Sequence, residues 1–321
     1  MTTVNFLNPV IDLLPLVEAR MRRQADAYNS ELGTAVEHLL SSGGKRVRPA
    51  TALLMGGMLG ANTERLITLA SAIELLHTAT LVHDDLIDGS LLRRGIATLN
   101  AQWTPAATVL TGDFIFAIAA RQAAETDSLA VMRLFSETLA TIVNGEINQL
   151  FISHGLVSRE NYYQRIYAKT ASMFELATGA AGMLSPIEEI TIDRARNFGY
   201  EIGMAFQIVD DVLDFTGEQS TVGKPVGNDL RQGLVTLPAL YYDEAHPDDS
   251  DMKMVLEGSR YNSAMMDRLV DSIRHSGAIE QALDEAGQYI DRALAILKGM
   301  PAGPEHEALE ELALYILNRM S

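Results

Sequence analysis

The stretch TERLITLASAIELLHTATLVHDDLIDG, residues 63–89, decides the fold. Leu66, Leu69, Ala70, Ile73 and Leu76 recur at i, i+3, i+4 spacing, the 3.6-residue period of an amphipathic helix rather than the two-residue period of a strand. Thr63 and Glu64 can open this helix, and Gly89 is a natural stop. A helix over 63–88 ends in Asp84, Asp85 and Asp88, and the first and last of these share one face. Like charges at that spacing repel by about 0.2–0.5 kcal/mol. They sit at the end of an apolar stripe, where a solvated acidic face is not expected, so their placement points to a use.

The same period continues over roughly 106–125, 127–152, 159–183, 188–215 and 235–244, and in three stretches after 262. Breaks fall at SSGGK (41–45), SPIEE (185–189), VGKPVGND (222–229), HPDDSD (246–251) and KGMPAGPEH (298–306). These are turn-forming clusters, none long enough to be an interdomain linker. No segment alternates with period two, and no fixed-period repeat occurs. The expectation is an all-α protein with one domain over 1–321, although length alone would allow two.

Composition narrows the class. The chain has 321 residues, 25 Lys and Arg against 42 Asp and Glu, a net charge of −17 and no cysteine. That charge argues against nucleic-acid binding, which needs a basic field. Without cysteine there are no disulfides, thiolate metal sites or thiol nucleophiles. The start, MTTVNFLNPVIDLLPLVEARMRR, carries Asp12 and Glu18 and has no basic region before an apolar run. The best apolar run, 105–120, is interrupted by Asp113, so no transmembrane segment is expected. A cytoplasmic protein, with at most loose membrane contact, is the simple reading. HPDDSD reads as a solvated turn. EALEELALYILNRM (307–320) reads as an amphipathic closing helix, with Arg319 near its end.

A second DDxxD occurs in FQIVDDVLDFTG (206–217), as Asp210, Asp211 and Asp214. Carboxylates are hard ligands that suit Mg²⁺, an ion that keeps several waters and bridges to substrate phosphates. Basic residues supply the other half of such a site. GGKRVRP (43–49) brings Lys45, Arg46 and Arg48; Arg93 and Arg94 follow the first motif; YAKTASMF (167–174) contains Lys169 and Thr170; Lys224 follows the second motif. Arg forks match phosphate oxygens, and Lys acts as a point charge. Two carboxylate motifs with basic clusters beside them predict a magnesium-held anionic substrate.

GGKRVRP, HTATLVHDDLIDGSLLRRG, YAKTASMF, FQIVDDVLDFTG and GKPVGNDL, in that order over roughly 40–240, resemble the trans-prenyl diphosphate synthases of the polyprenyl synthetase family. Terpene cyclases share one aspartate motif but lack the second DDxxD and the GGKRVRP segment. The resemblance implies a helical bundle of the isoprenoid synthase type with a central active-site cavity. It also implies Mg²⁺, three ions with the allylic diphosphate, whose departure leaves an allylic cation that isopentenyl diphosphate attacks. Carried over by position, Asp84, Asp88 and Asp210 are metal ligands, with Asp85, Asp211 and Asp214 in the same set. Lys45, Arg48, His77 and Arg94 hold isopentenyl diphosphate. Arg93, Lys169, Thr170, Gln207 and Lys224 hold the allylic diphosphate. Asp84, Asp88, Asp210, Lys169 and Arg93 carry the chemistry, and a homodimer is the usual assembly.

One departure concerns the family's GK-x-T-L-P segment, which here reads GLVTLP with Leu234 at the Lys position. Several long-chain members also lack that Lys. Product length in the family depends on what blocks the cavity below the first motif. Ala79 and Thr80, five and four residues before Asp84, are small where farnesyl-making enzymes usually carry an aromatic residue, so a product longer than farnesyl is expected. Phe135 is a candidate lower floor, in a helical row with Leu139, Ile142, Glu146 and Gln149; an ordinary core residue is the alternative. Geranylgeranyl diphosphate synthase and a non-catalytic partner subunit are the competing readings.

Overall fold

The structure, a computed structural model, describes residues 5–24, 28, 30–41, 43–152, 158–217, 225–258 and 262–319. Helices account for nearly all of the order, as the periodicity predicts. They are α1 (Leu14–Arg23), α2 (Ser30–Ser41), α3 (Val47–Met58), α4 (Thr63–Ile87), α5 (Leu99–Gln102), α6 (Pro105–Ala124), α7 (Leu129–Ile152), α8 (Arg159–Ile166), α9 (Ser172–Met183) and α10 (Glu189–Thr216). The rest are α11 (Asn228–Arg231), α12 (Leu237–Ala245), α13 (Ser250–Leu256), α14 (Ser263–Arg274), α15 (Ala278–Leu297) and α16 (Pro304–Asn318). The residues group into two compact units. The first takes Met1–Glu137, Met173–Arg196 and Gly299–Glu311, and the second takes Thr138–Ser172, Asn197–Lys298 and Leu312–Ser321.

In the first unit α4 is the central element, packed on α3 and α6. Leu66, Leu69, Ile73 and Leu76 are at most 2% exposed, each contributing roughly 1.5–3 kcal/mol of burial. Two glycines permit the approach of its neighbours. A Cβ at Gly56 would lie 2.2 Å from Leu66, and one at Gly112 would lie 2.1 Å from His83. The helix opens at Thr63, as expected, and Asn62 before it is the N-cap, its side chain accepting from the Arg65 N–H at 3.1 Å. By length and composition α4 is also apolar enough to cross a membrane, which the sequence reading missed in favour of 105–120. Of its most apolar 18-residue window, 78% is buried inside the protein, as befits a core helix.

In the second unit α15 lays Ala282, Ala286, Ile290, Ala293 and Leu297 against the core and packs on α12 and α14. The expected helix at 159–183 is present but contains a π-helical turn, Tyr167–Ala171, between α8 and α9. Single π turns inside α-helices concentrate at functional sites. The HPDDSD segment is an exposed turn at Pro247 and Asp248, as expected, and it leads into a cap: Asp249 caps α13, accepting from Met252 N–H at 2.9 Å and from the Tyr242 hydroxyl at 2.8 Å. Its short helix escaped the sequence reading because seven residues show too little periodicity.

Candidate active site

The site residues divide between the units. In the first, Asp88 N–H donates to the Asp84 carbonyl at 2.8 Å, so Asp84 and Asp88 share one helix face as expected. Asp84 is half-buried and Asp88 exposed, whereas Asp85 is buried. The Arg93 guanidinium clamps Asp85, with Nε 3.0 and 3.1 Å from its two oxygens and Nη2 at 2.9 Å. Arg93 comes from a hairpin, Leu92–Arg93 paired with Ile96–Ala97, that the sequence reading did not foresee. Its two turn residues, Arg94 (φ 52°) and Gly95 (φ 78°), are both left-handed, the requirement of a tight two-residue turn.

Around this helix end the first unit gathers cations. Arg46, left-handed at φ 48°, is fixed by Glu74 at 2.6 Å, Glu18 at 3.0 Å and the Leu40 carbonyl at 3.1 Å. Its donors are spent on structure, and it serves to start α3. Lys45 on one side is exposed. Arg48 on the other lies 3.4 Å from His77 Nε2 and over the Phe174 ring. Arg94 donates to the Gly43 carbonyl, and a Cβ at Gly44 would lie 2.9 Å from its Nη1. Burial, followed by the charges of Arg48, Arg93, Arg94 and Arg46, holds the His77 imidazole well below its ordinary pKa. His77 is therefore neutral at pH 7, and its buried Nδ1 has no hydrogen-bond partner among the described residues. Arg48, Arg93 and Arg94 thus lie near enough to His77 for their charges to act on it.

In the second unit Gly145 and Gly203 bring α7 and α10 against the π turn; a Cβ on either would lie 2.5 Å from Ala168 or Ala171. That turn presents Lys169, paired with Glu146 at 3.0 Å, and Thr170. Thr170 donates to Gln207 Oε1 at 2.6 Å, Gln207 donates to Asp211 at 2.8 Å, and the Tyr162 hydroxyl donates to the other Asp211 oxygen at 2.8 Å. Burial pushes the Asp211 carboxyl up to about 7, against these hydrogen bonds. Asp214 accepts the backbone N–H groups of Asn228 at 3.2 Å and Asp229 at 3.1 Å. Asp210 pairs with Arg319 at 2.5 Å. Lys224 lies outside the described residues. Leu234 lines a cavity of about 350 Å³ together with Asn148, Gln149, Tyr162 and Arg165. Tyr162, Arg165 and Arg319 escaped or barely registered in sequence because each stands outside the aspartate and glycine-rich segments.

Ala79 is fully buried, and the Thr80 hydroxyl donates to the His77 carbonyl at 2.7 Å. Phe135 is 1% exposed. Among the described residues no group of three or more His, Asp or Glu side chains could hold a metal ion unaided. The donor chemistry still fits Mg²⁺: carboxylate oxygens from each motif are a partial set, and this ion takes its remaining ligands from water and substrate phosphate.

The fold is thus an all-helical one with two aspartate motifs and a basic cluster at one of them. A profile of the polyprenyl synthetase family matches residues 29–273, and the chain belongs to that family. It is 36% identical over 311 residues to heptaprenyl diphosphate synthase component 2 of Geobacillus stearothermophilus, covering 96% of both chains. It is 35% identical over 284 residues to octaprenyl diphosphate synthase of Escherichia coli, covering 88% of both. A polyprenyl synthase from Caulobacter crescentus, solved with calcium and isoprenyl diphosphate, superposes with a TM-score of 0.92 at 34% identity, covering 99% of this chain and 98% of that one. The fold is that of the isoprenoid synthases, and the enzyme class is trans-prenyltransferase, as the motifs implied.

Proposed function

We propose that this enzyme condenses isopentenyl diphosphate with an allylic prenyl diphosphate in the trans configuration, giving a medium- or long-chain polyprenyl diphosphate. The observation that carries this reading is the arginine field around neutral His77 at the aspartate end of α4. Lys45, Arg48, His77 and Arg94 hold the isopentenyl diphosphate, with His77 acting as a neutral hydrogen-bonding group. Arg93, Lys169, Thr170, Gln207 and Lys224 serve the allylic diphosphate.

Asp84, Asp88 and Asp210 are assigned to Mg²⁺, since Asp85 is clamped by Arg93, Asp211 is buried against Tyr162 and Gln207, and Asp214 holds the start of α11; Arg319 would have to yield Asp210. When bound, three Mg²⁺ ions would neutralise the diphosphate leaving group. The allylic C–O bond breaks with its electron pair leaving on the diphosphate. The isopentenyl double bond supplies the pair for the new C–C bond, and the released diphosphate takes the proton. Cationic side chains stabilise the developing negative charge, and an apolar surround protects the carbocation from water. Ala79 and the Thr80 methyl leave room for the growing chain, with Phe135 as the floor.

We place this chemistry in one cytoplasmic catalytic domain over 1–321, acting as a homodimer, with loose membrane contact for product release. Leu110 and Leu129, each about two-thirds exposed, are apolar surface that a second copy would cover. A second reading, that activity needs a different partner subunit, is favoured by the name of the Geobacillus relative, a "component 2". Product analysis with Mg²⁺, isopentenyl diphosphate and a farnesyl or geranylgeranyl primer tests both. A ladder ending beyond geranylgeranyl is expected, and Ala79→Tyr is expected to shorten it toward farnesyl. A stop at geranylgeranyl contradicts the long-chain assignment, and no elongation by the purified chain favours the partner.

A further inference from the structure

Arg319 follows α16 and meets α10 at two positions four residues apart. Its Nη2 donates to Asp210 Oδ1 at 2.5 Å, and its guanidinium carbon lies 4.3 Å from the centre of the Phe206 ring. The side chain is only 17% exposed, and its Nη1 is buried with no hydrogen-bond partner among the described residues. A desolvated guanidinium with part of its donor fork unused is unfavourable, and the acceptor that suits it is an anionic oxygen. Phe206 holds the plane of the fork over this face of α10, so a small reorientation can change its partner.

Asp210 is among the carboxylates assigned above to the metal. A divalent ion arriving there meets a cation already seated on the same oxygen, and the two repel. We infer that Arg319 is the resting counter-ion of Asp210, displaced when metal and diphosphate load the second motif, and that it then binds an oxygen of that diphosphate. This rests on the proposed function, because it presumes that the second motif handles a metal–diphosphate. It makes Arg319 a substrate-binding residue that no sequence motif marks. It also gives the two halves of the exchange opposite signs. Removing the guanidinium favours the metal at Asp210 and disfavours the diphosphate.

The test uses the full chain and two probes. Mn²⁺ binding without substrate is followed by electron paramagnetic resonance, and binding of inorganic diphosphate in excess Mg²⁺ by calorimetry, for wild type, Arg319→Gln and Arg319→Lys. Arg319→Gln should bind Mn²⁺ several-fold more tightly and diphosphate roughly tenfold or more weakly, the scale of a lost charge-assisted hydrogen bond. Arg319→Lys, which keeps the charge, should recover part of the diphosphate affinity. Weakening of both affinities would show that Arg319 merely anchors the C-terminus, and an unchanged affinity in either assay would equally overturn the exchange. Failure of wild type to bind magnesium diphosphate would instead remove the functional reading beneath it.

Discussion

The two aspartate motifs have the same DDxxD pattern, each on a long helix, yet their carboxylates are used differently. In the first, Asp85 is buried and clamped by Arg93, Asp84 is half-buried and Asp88 is exposed. In the second, every carboxylate has a named local partner. Asp210 meets Arg319, Asp211 meets Tyr162 and Gln207, and Asp214 meets two backbone N–H groups. The spacing of a motif fixes which carboxylates share a helix face, but neighbouring elements decide which of them are available. The first motif presents an exposed carboxylate at Asp88, whereas Asp210 of the second must exchange Arg319 to receive a cation.

The largest expected effect separates aspartates within the first motif. Asp84→Asn should lower kcat by about a hundred- to a thousandfold, the scale seen when one preorganised electrostatic group is removed. Its melting temperature should stay close to that of wild type, because the clamp on the hairpin residue Arg93 runs through Asp85. Asp85→Asn should do the reverse in stability, losing about 1–3 kcal/mol as Arg93 is left without its carboxylate. Steady-state turnover and thermal melts in a chelating buffer would measure both. If Asp85→Asn melts like wild type, the clamp is not what sets the two aspartates apart.

Much of this contrast could not be read from the sequence. Helix positions were legible because buried stripes such as Leu66, Ile73 and Leu76 repeat at 3.6 residues. The candidate site residues were legible as types because a magnesium-held phosphate would demand carboxylates, Arg and Lys. What was hidden was long-range pairing. Tyr162 reaches Asp211 across 49 positions and Arg319 reaches Asp210 across 109, and neither separation has a sequence period. The Leu92–Ala97 hairpin was hidden for another reason: two-residue strands are too short to show alternation, and Arg94 adopts a left-handed conformation more usual for Gly or Asn.

The second motif offers a sharper test through pH. Burial raises the Asp211 carboxyl to about 7, against roughly 3.9 in an unfolded chain. Between those values the folded protein holds a proton that the unfolded chain has released. Stability therefore falls as pH rises from about 4 to 7, with a one-proton slope of at most about 1.4 kcal/mol per pH unit, and the destabilisation is complete above pH 7. Asp211→Asn cannot ionise, so its melting temperature relative to wild type should climb from pH 5 to pH 8 in chelating buffer. A constant difference across that range would mean that Asp211 is ionised throughout.

The smallest effect concerns Asp214, where the motif resembles a scaffold more than a ligand set. Its two oxygens take the N–H groups at the start of α11, and its own carbonyl accepts from Gly227 at 2.8 Å. Gly227, at φ 67°, turns the chain so that these donors point back at α10, and a Cβ there would meet Val270 at 2.6 Å. Asp214→Ala removes both side-chain acceptors and should cost about 1–2 kcal/mol, lowering the melting temperature by a few degrees. Asp214→Asn keeps one acceptor and should lose about half as much. Hydrogen exchange would locate the effect, with faster exchange at Asn228 and Asp229 and no change in the Leu92–Ala97 hairpin of the first unit. Activity adds the deciding comparison: if Asp214→Asn falls as far as Asp84→Asn while remaining folded, Asp214 acts as a ligand after all. The second motif would then have to give up two of its local partners, not one, on loading.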